Sequence, residues 1–120
     1  MPKQVSLTLV MIRKTDEFSS VFNFRKRYSS DHLILYYKPN QRAVARIGFV
    51  VSKKVAKLAV DRNYMRRVLR ELCRQELAVL SDVDIVIQVK KSFNRSKFLL
   101  LKQELAMLFD KIVNQLQRDC

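Results

Sequence analysis

Arg62, Asn63, Arg66, Arg67 and Arg70 follow one another at intervals of one, three and four residues. On a helix, advancing about 100° per residue, they and Arg74 fall within an arc of about 140°. Tyr64, Met65, Val68, Leu69 and Leu72 occupy the other side, which is expected to pack inward. The arc carries five arginines and no acid, and such crowding is unfavourable unless a polyanion neutralises it. Arginine's planar fork holds a phosphate by two hydrogen bonds, so the chemistry is recognition of a phosphate backbone. Lys53, Lys54 and Lys57 come just before this helix and extend the same surface. If roughly six to eight phosphates are engaged, log affinity falls with log salt at a slope of about −0.7 to −0.9 per phosphate. Asn63 neutralises nothing, but its carbonyl oxygen can join a hydrated magnesium ion's shell or hold a neighbouring arginine.

Other reactive side chains form no catalytic set. The sequence has one histidine, His32, and shows no carboxylate cluster or nucleophile–base pair suited to an autonomous nuclease. Asp82 and Asp84 read as ordinary residues at a strand edge, and His32 as a surface or edge residue ahead of a strand. Cys73 and Cys120 belong to no Cys-x-x-Cys pair and read as free thiols in a reducing cytosol.

These groups must be carried by one core. The chain has 120 residues, 48% of them apolar, and a net charge of +13. Enough apolar surface is present for one domain spanning residues 1–120, which excludes a disordered polycation. No apolar run approaches the roughly 18 residues of a membrane span, so no membrane partner is expected. One glycine and two prolines exclude glycine-loop nucleotide binding. The charge is also uneven: residues 1–52 and residues 53–74 each carry a net +6, and residues 75–120 only +1. Such concentration marks a binding surface rather than general solubility.

Thr15, Asp16 and Glu17 signal a helix start with a hydroxyl cap, and Phe18 and Phe22 share its face with Val21 beside them. That helix is expected to fray into Arg25, Lys26 and Arg27. Strands are predicted at 33–38, 43–51 and 83–89, and helices at 55–77 and from about Ser96 onward. Residues 98, 101, 105, 108, 112 and 116 form the apolar stripe of the last helix. Residues 1–14 read as an extended arm or edge strand, because no cleavage site follows the short apolar stretch. The order is helix, strand, strand, helix, strand, helix: an α+β domain with a small mixed sheet.

The run Arg46-Ile47-Gly48-Phe49-Val50-Val51-Ser52-Lys53-Lys54, followed by Asp61-Arg62-Asn63-Tyr64-Met65-Arg66-Arg67-Val68-Leu69-Arg70, resembles the bacterial ribonuclease P protein component. The Arg-Asn pair, the basic pair, the further arginine, the upstream Ser-Lys-Lys and the Phe18–Phe22 spacing all match in order. The resemblance implies a left-handed strand–helix–strand crossover, against the usual hand. It also implies a protein that assists a catalytic RNA in removing the 5′ leader of precursor transfer RNA. The RNA and its magnesium ions, Mg2+, would do the chemistry. Lys53, Lys54, Arg62, Asn63, Arg66, Arg67 and Arg70 would contact ribonuclease P RNA, with Asn63 a candidate toward metal. Phe18, Phe22, Ile34 and Tyr36 would line a cleft for the single-stranded leader, where rings stack on any base. The implied location is cytoplasmic. Three departures stand out: Tyr64 replaces a common basic residue, Arg66 a common lysine, and Asn23-Phe24-Arg25 a turn where glycine is frequent. A ribosomal or other structural RNA-binding protein shares the charge and outline but does not call for the aromatic cleft. A stand-alone nuclease lacks its carboxylates, and a DNA-binding regulator lacks a short helix–turn–helix spacing.

Overall fold

The computed structural model describes residues 9–78 and 80–118. In chain order it contains β1 (Val10–Met11), α1 (Thr15–Phe24), β2 (Arg27–Ser29), β3 (Leu33–Pro39), β4 (Arg46–Val50), α2 (Ala59–Leu77), β5 (Val83–Val89) and α3 (Phe98–Arg118), with a 3-10 turn at Arg95–Lys97. The strands form one mixed sheet in the order β1-β4-β5-β3-β2. Neighbouring β4 and β5 run parallel and are joined by α2, while β3 lies antiparallel to β5 and β2 to β3.

Central β5 is covered on both faces, and this explains its nearly unbroken apolar run. On one face Leu33, Leu35, Ile47, Phe49, Ile85 and Ile87 pack against Met65, Leu69 and Cys73 of α2 and Leu101, Leu105, Leu108 and Ile112 of α3. The smaller cluster on the other face joins Val86 to Val21 of α1 and to Ile12, with Phe18, Phe22, Tyr36 and Val50 half-buried around it. Burial lifts the Cys73 thiol well above its ordinary pKa, so it behaves as an inert apolar side chain.

Several boundaries differ from those predicted. The 43–51 strand is confined to Arg46–Val50, because Asn40 closes the preceding loop through Arg42 N–H and the Val44 carbonyl. The helix predicted from 55 begins at Ala59; residues 52–56 instead turn, with Val55 and Ala56 N–H donating to the Ser52 carbonyl. Lys14, not Thr15, is the cap of α1, and Glu17 closes that end by accepting from the Lys14 N–H at 3.5 Å. The expected fraying at Arg25 does not occur; the helix stops at Phe24 and Arg27 opens a short edge strand, β2. Of the arm, Val10 and Met11 form an edge strand parallel to β4, while residues 1–8 and Cys120 lie outside the described residues. Phe98 is 39% exposed and leaves the apolar stripe of α3 at its first turn.

Two polar groups read as edge residues are buried. His32 is 3% exposed, and its Nδ1 lies 2.7 Å from Glu104 Oε2 on α3. Glu104 Oε1 also accepts from the His32 N–H at 2.9 Å and from Ser30 Oγ at 2.6 Å, tying the β2–β3 turn to that helix. Asp84 sits within β5 and takes both arms of the Arg46 fork, at 2.8 and 2.7 Å. Nη1 of the same guanidinium donates to Glu17 of α1 at 2.9 Å, so strand β5, strand β4 and helix α1 are pinned at one point.

Burial by itself raises the Asp84 pKa, but the Arg46 fork and the Asn40 amide outweigh it and hold the carboxyl below its ordinary value. Glu17 is lowered chiefly by its hydrogen bond to Arg46. Carboxyls lowered on folding give stability that is complete above their ordinary range, about pH 4, and is lost as pH falls through the lowered values. Asp84→Asn removes one such share. Its denaturant midpoint should drop at pH 7, and its further decline between about pH 5 and pH 2 should be shallower than that of the parent. Parallel acid curves would refute the coupling.

Candidate RNA interface

Register explains why the aromatic groups converge. Tyr36, Val86 and Gly48 form one row across β3, β5 and β4, and Ile34, Gln88 and Val50 the next. Side chains of both rows face α1, by the two-residue parity of a strand. Phe18 lies directly over Gly48: a Cβ at that position would sit 2.5 Å from Phe18 Cε1. The one glycine of the sequence is therefore the spot where the helix comes down onto the sheet. Phe22 meets Tyr36 edge to face, with centroids 4.6 Å apart and planes at 82°. Lys38, near the end of β3, donates to Ser20 in the middle of α1.

Phe18, Phe22, Ile34 and Tyr36 are thus brought together, each half-buried with part of its apolar surface exposed. Beside them Phe22, Arg25, Arg27 and Tyr36 line a pocket of about 430 Å³. The sequence expectation does not include Arg25 and Arg27 in this set; their only signal there is the basic stretch after α1, which reads as a frayed helix end. Arg25 has φ 66°, the left-handed region, and its N–H closes the helix onto the Phe22 carbonyl at 3.2 Å. That conformation favours glycine. The turn thus keeps the geometry a glycine would give but places a cation at the cleft rim.

Helix α2 lies on the opposite face of the sheet. Met65, Leu69, Cys73 and Leu77 point into the core; Asn63, Arg67 and Arg70 are exposed, while Arg62, Arg66 and Arg74 are half-buried. Members of the arc divide by role. Arg67 and Arg70 are exposed and have no intramolecular partner among the described residues. Arg62 is half-buried, and its Nη1 donates to the carbonyls of Ala56 and Lys57 at 2.9 and 2.8 Å. It fastens the turn that carries the exposed Lys53 and Lys54. Arg66 Nη1 donates to Asn63 Oδ1 at 2.9 Å, so the Asn63 amide holds a neighbouring arginine. Arg74 pairs with Glu71 at 3.2 Å and is the least free of the arc. Among the described residues no three His, Cys, Asp or Glu side chains gather as a metal site. Asn63 Oδ1 accepts from Arg66 and keeps a second lone pair for another donor or ion.

Lys53 and Lys54 follow β4, whose last residue, Val50, belongs to the open row beside α1. The two surfaces therefore meet at one end of the sheet. A guanidinium face joined through a lysine turn to a half-open aromatic set, on an α+β fold, has the chemistry of the RNA-binding class: cations suit phosphates and rings suit unstacked bases.

The comparisons agree. The family model described as ribonuclease P matches residues 8–113. The ribonuclease P protein component of Azoarcus sp. is 39% identical over 101 residues, which cover 84% of each chain. That of Chromobacterium violaceum is 43% identical over 99 residues, 82% of each. In fold, the chain is similar to the Thermotoga maritima ribonuclease P protein, with a TM-score of 0.75 at 24% identity over 84% of this chain and 96% of that one. The Staphylococcus aureus protein gives 0.77 at 21% identity over 88% and 96%. The chain belongs to the ribonuclease P protein family. It is a protein subunit of this ribonucleoprotein endoribonuclease and acts with the RNA subunit in 5′ maturation of transfer RNA. Membership decides against the ribosomal or other structural RNA-binding reading.

Two substitutions test the geometry. Gly48→Ala drives a methyl into the Phe18 ring, an overpacking cost of about 1–3 kcal/mol. Alanine's lower backbone entropy in the unfolded chain returns about 0.5–1 kcal/mol. The urea midpoint should therefore fall, by the equivalent of up to about 2.5 kcal/mol; a raised midpoint would contradict the contact. Arg25→Gly should do the reverse, gaining about 0.5–1 kcal/mol by releasing the left-handed strain. If thermal melting shows a loss instead, Arg25 is held by contacts stronger than its strain.

Proposed function

We propose that the cleft between α1 and the sheet receives the single-stranded 5′ leader of precursor transfer RNA. In the same reading the α2 face, with the Lys53–Lys54 turn, holds the RNA subunit, and the whole described fold serves as one RNA-binding unit. The observation that carries this is the aromatic set held half-open over Gly48 with two arginines at its rim. Rings supply stacking of about 1–3 kcal/mol per base with little demand on sequence, as varied leaders require. Arg25 and Arg27 supply charge for the phosphates between stacked bases. On α2, Arg67 and Arg70 are the free cations, while Arg62 and Asn63 hold the lysine turn and Arg66 in place. A-form RNA offers little base-edge access, so this face contacts backbone and shape. Magnesium ions are assigned to the RNA subunit, where they supply the charge that the phosphodiester chemistry needs. No helix among the described residues is long and apolar enough to cross a membrane, which accords with a cytoplasmic site of action.

The test uses holoenzyme reconstituted with the RNA subunit. Phe18→Ala and Tyr36→Ala should each weaken leader-bearing precursor by about fivefold or more while leaving mature transfer RNA nearly unchanged. Arg67→Ala and Arg70→Ala should weaken assembly with the RNA subunit and each reduce the slope of log affinity against log salt by about 1. Equal losses for precursor and mature RNA would remove the cleft assignment; unchanged salt slopes would remove the α2 assignment.

A further inference from the structure

A second cavity, of about 610 Å³, opens between the start of α2 and the connection from β5 to α3. Phe93, 7% exposed, lines its buried side, and Lys57, Asp61, Tyr64, Asn94 and Lys97 stand around it. Tyr64 is half-buried against the core, so part of its ring is open to the cavity. Both walls are held from within the chain. Arg62 fastens the Ala56 and Lys57 carbonyls on one side. On the other, Asn94 Oδ1 accepts from the Ser96 N–H at 3.1 Å and from Ser96 Oγ at 2.6 Å, which sets the turn that carries Lys97. The groups that face a ligand are unused. Among the described residues neither lysine has an acidic partner, and the Tyr64 hydroxyl and the Asn94 amide nitrogen have no hydrogen-bond partner. The volume lies in the range of ligand pockets, about 300–1,000 Å³.

We propose that this cavity binds one unstacked nucleotide of the RNA subunit, with its base on Tyr64 and its flanking phosphates on Lys57 and Lys97. The inference rests on α2 being the face that holds the RNA subunit, and it adds a fixed register that backbone contacts alone do not give. Lys57 follows the Lys53–Lys54 turn, so the cavity is continuous with that face. Paired RNA keeps its bases stacked and out of reach, whereas a loop or bulge can splay one onto an aromatic ring. Tyr64 stands where a basic residue is common, and it exchanges a charge for a stacking surface that accepts any base. Asp61 offers acceptors and the Asn94 amide a donor, which suit ribose hydroxyls or a base edge. The two lysines come from separate elements, so a phosphate on each fixes the strand across the cavity.

The test is base-specific chemical probing of the RNA subunit in reconstituted holoenzyme, together with the salt dependence of assembly. Tyr64→Leu keeps apolar packing but cannot stack. It should uncover one single-stranded base that the parent protects, and weaken assembly by about fivefold or more with the salt slope unchanged. Tyr64→Phe should keep that base protected and stay within about twofold of the parent. Lys97→Ala, outside the α2 arc, should lower the slope of log affinity against log salt by about 1. A tyrosine that only packs the core would shift the melting temperature of Tyr64→Leu without uncovering a base. The proposal is overturned if no base of the RNA subunit loses protection in Tyr64→Leu, or if the base uncovered belongs to transfer RNA. If Arg67→Ala and Arg70→Ala still weaken assembly in that case, the α2 reading stands and only the cavity assignment falls. If they weaken nothing, the α2 reading falls first.

Discussion

Helix α1 must approach the sheet closely enough to complete a small core, yet stay far enough from its far rows to leave a groove. The contact of Phe18 with Gly48 meets both demands. A missing side chain lets the ring reach the backbone at the middle of the sheet. The Arg46 guanidinium, shared between Asp84 on β5 and Glu17 on α1, then fixes one end of the helix. With that end pinned and Phe22 braced on Tyr36, the row of Ile34, Gln88 and Val50 is left beside the helix instead of under it. Buried ion pairs add little net stability compared with an apolar replacement, but they penalise misplacement heavily. In this fold the penalty falls on any shift of α1 that would close the cleft.

Charge is handled differently on the two sides. The cleft side compensates its buried arginine internally, and Arg25 and Arg27 at its rim flank the aromatic groups. The α2 side leaves Arg67 and Arg70 uncompensated and uses Arg62 and Asn63 to hold neighbours in position. An unneutralised face is tolerable because the apolar core beneath α2 and α3 is large. In the assembly proposed above, RNA on this face would relieve the repulsion, so part of the binding free energy would come from the free protein's own strain.

Arg25 shows the same trade on a smaller scale. Glycine is the residue that a left-handed helix end favours, and the structure keeps that backbone while carrying a cation instead. A non-glycine residue held in this region costs of order 1 kcal/mol, and such strain is typically kept where a side chain is needed.

Long, strongly periodic segments were legible from the sequence because one dominant interaction, burial of a continuous apolar stripe, decides each of them. That is why 83–89 coincides with β5 and why Asn63, Arg67 and Arg70 are exposed on α2. Motif spacing was enough to identify the family. Strand β2, three residues long, carries too little pattern to outweigh the helix before it, and its pairing with β3 is supplied from outside the segment. The roles of Asp84 and His32 depended on partners 38 and 72 residues away, so no local reading could place them. The sequence by itself therefore determined which residues gather as a cationic helix surface and which build the core, since both follow from helix and strand periods. Only the tertiary structure decided that the glycine seats Phe18, that Arg62 and Asn63 hold neighbours, and that Gln88 lies on the cleft floor. These depend on register between strands and on long-range contacts, which the chain's local chemistry permits but does not specify.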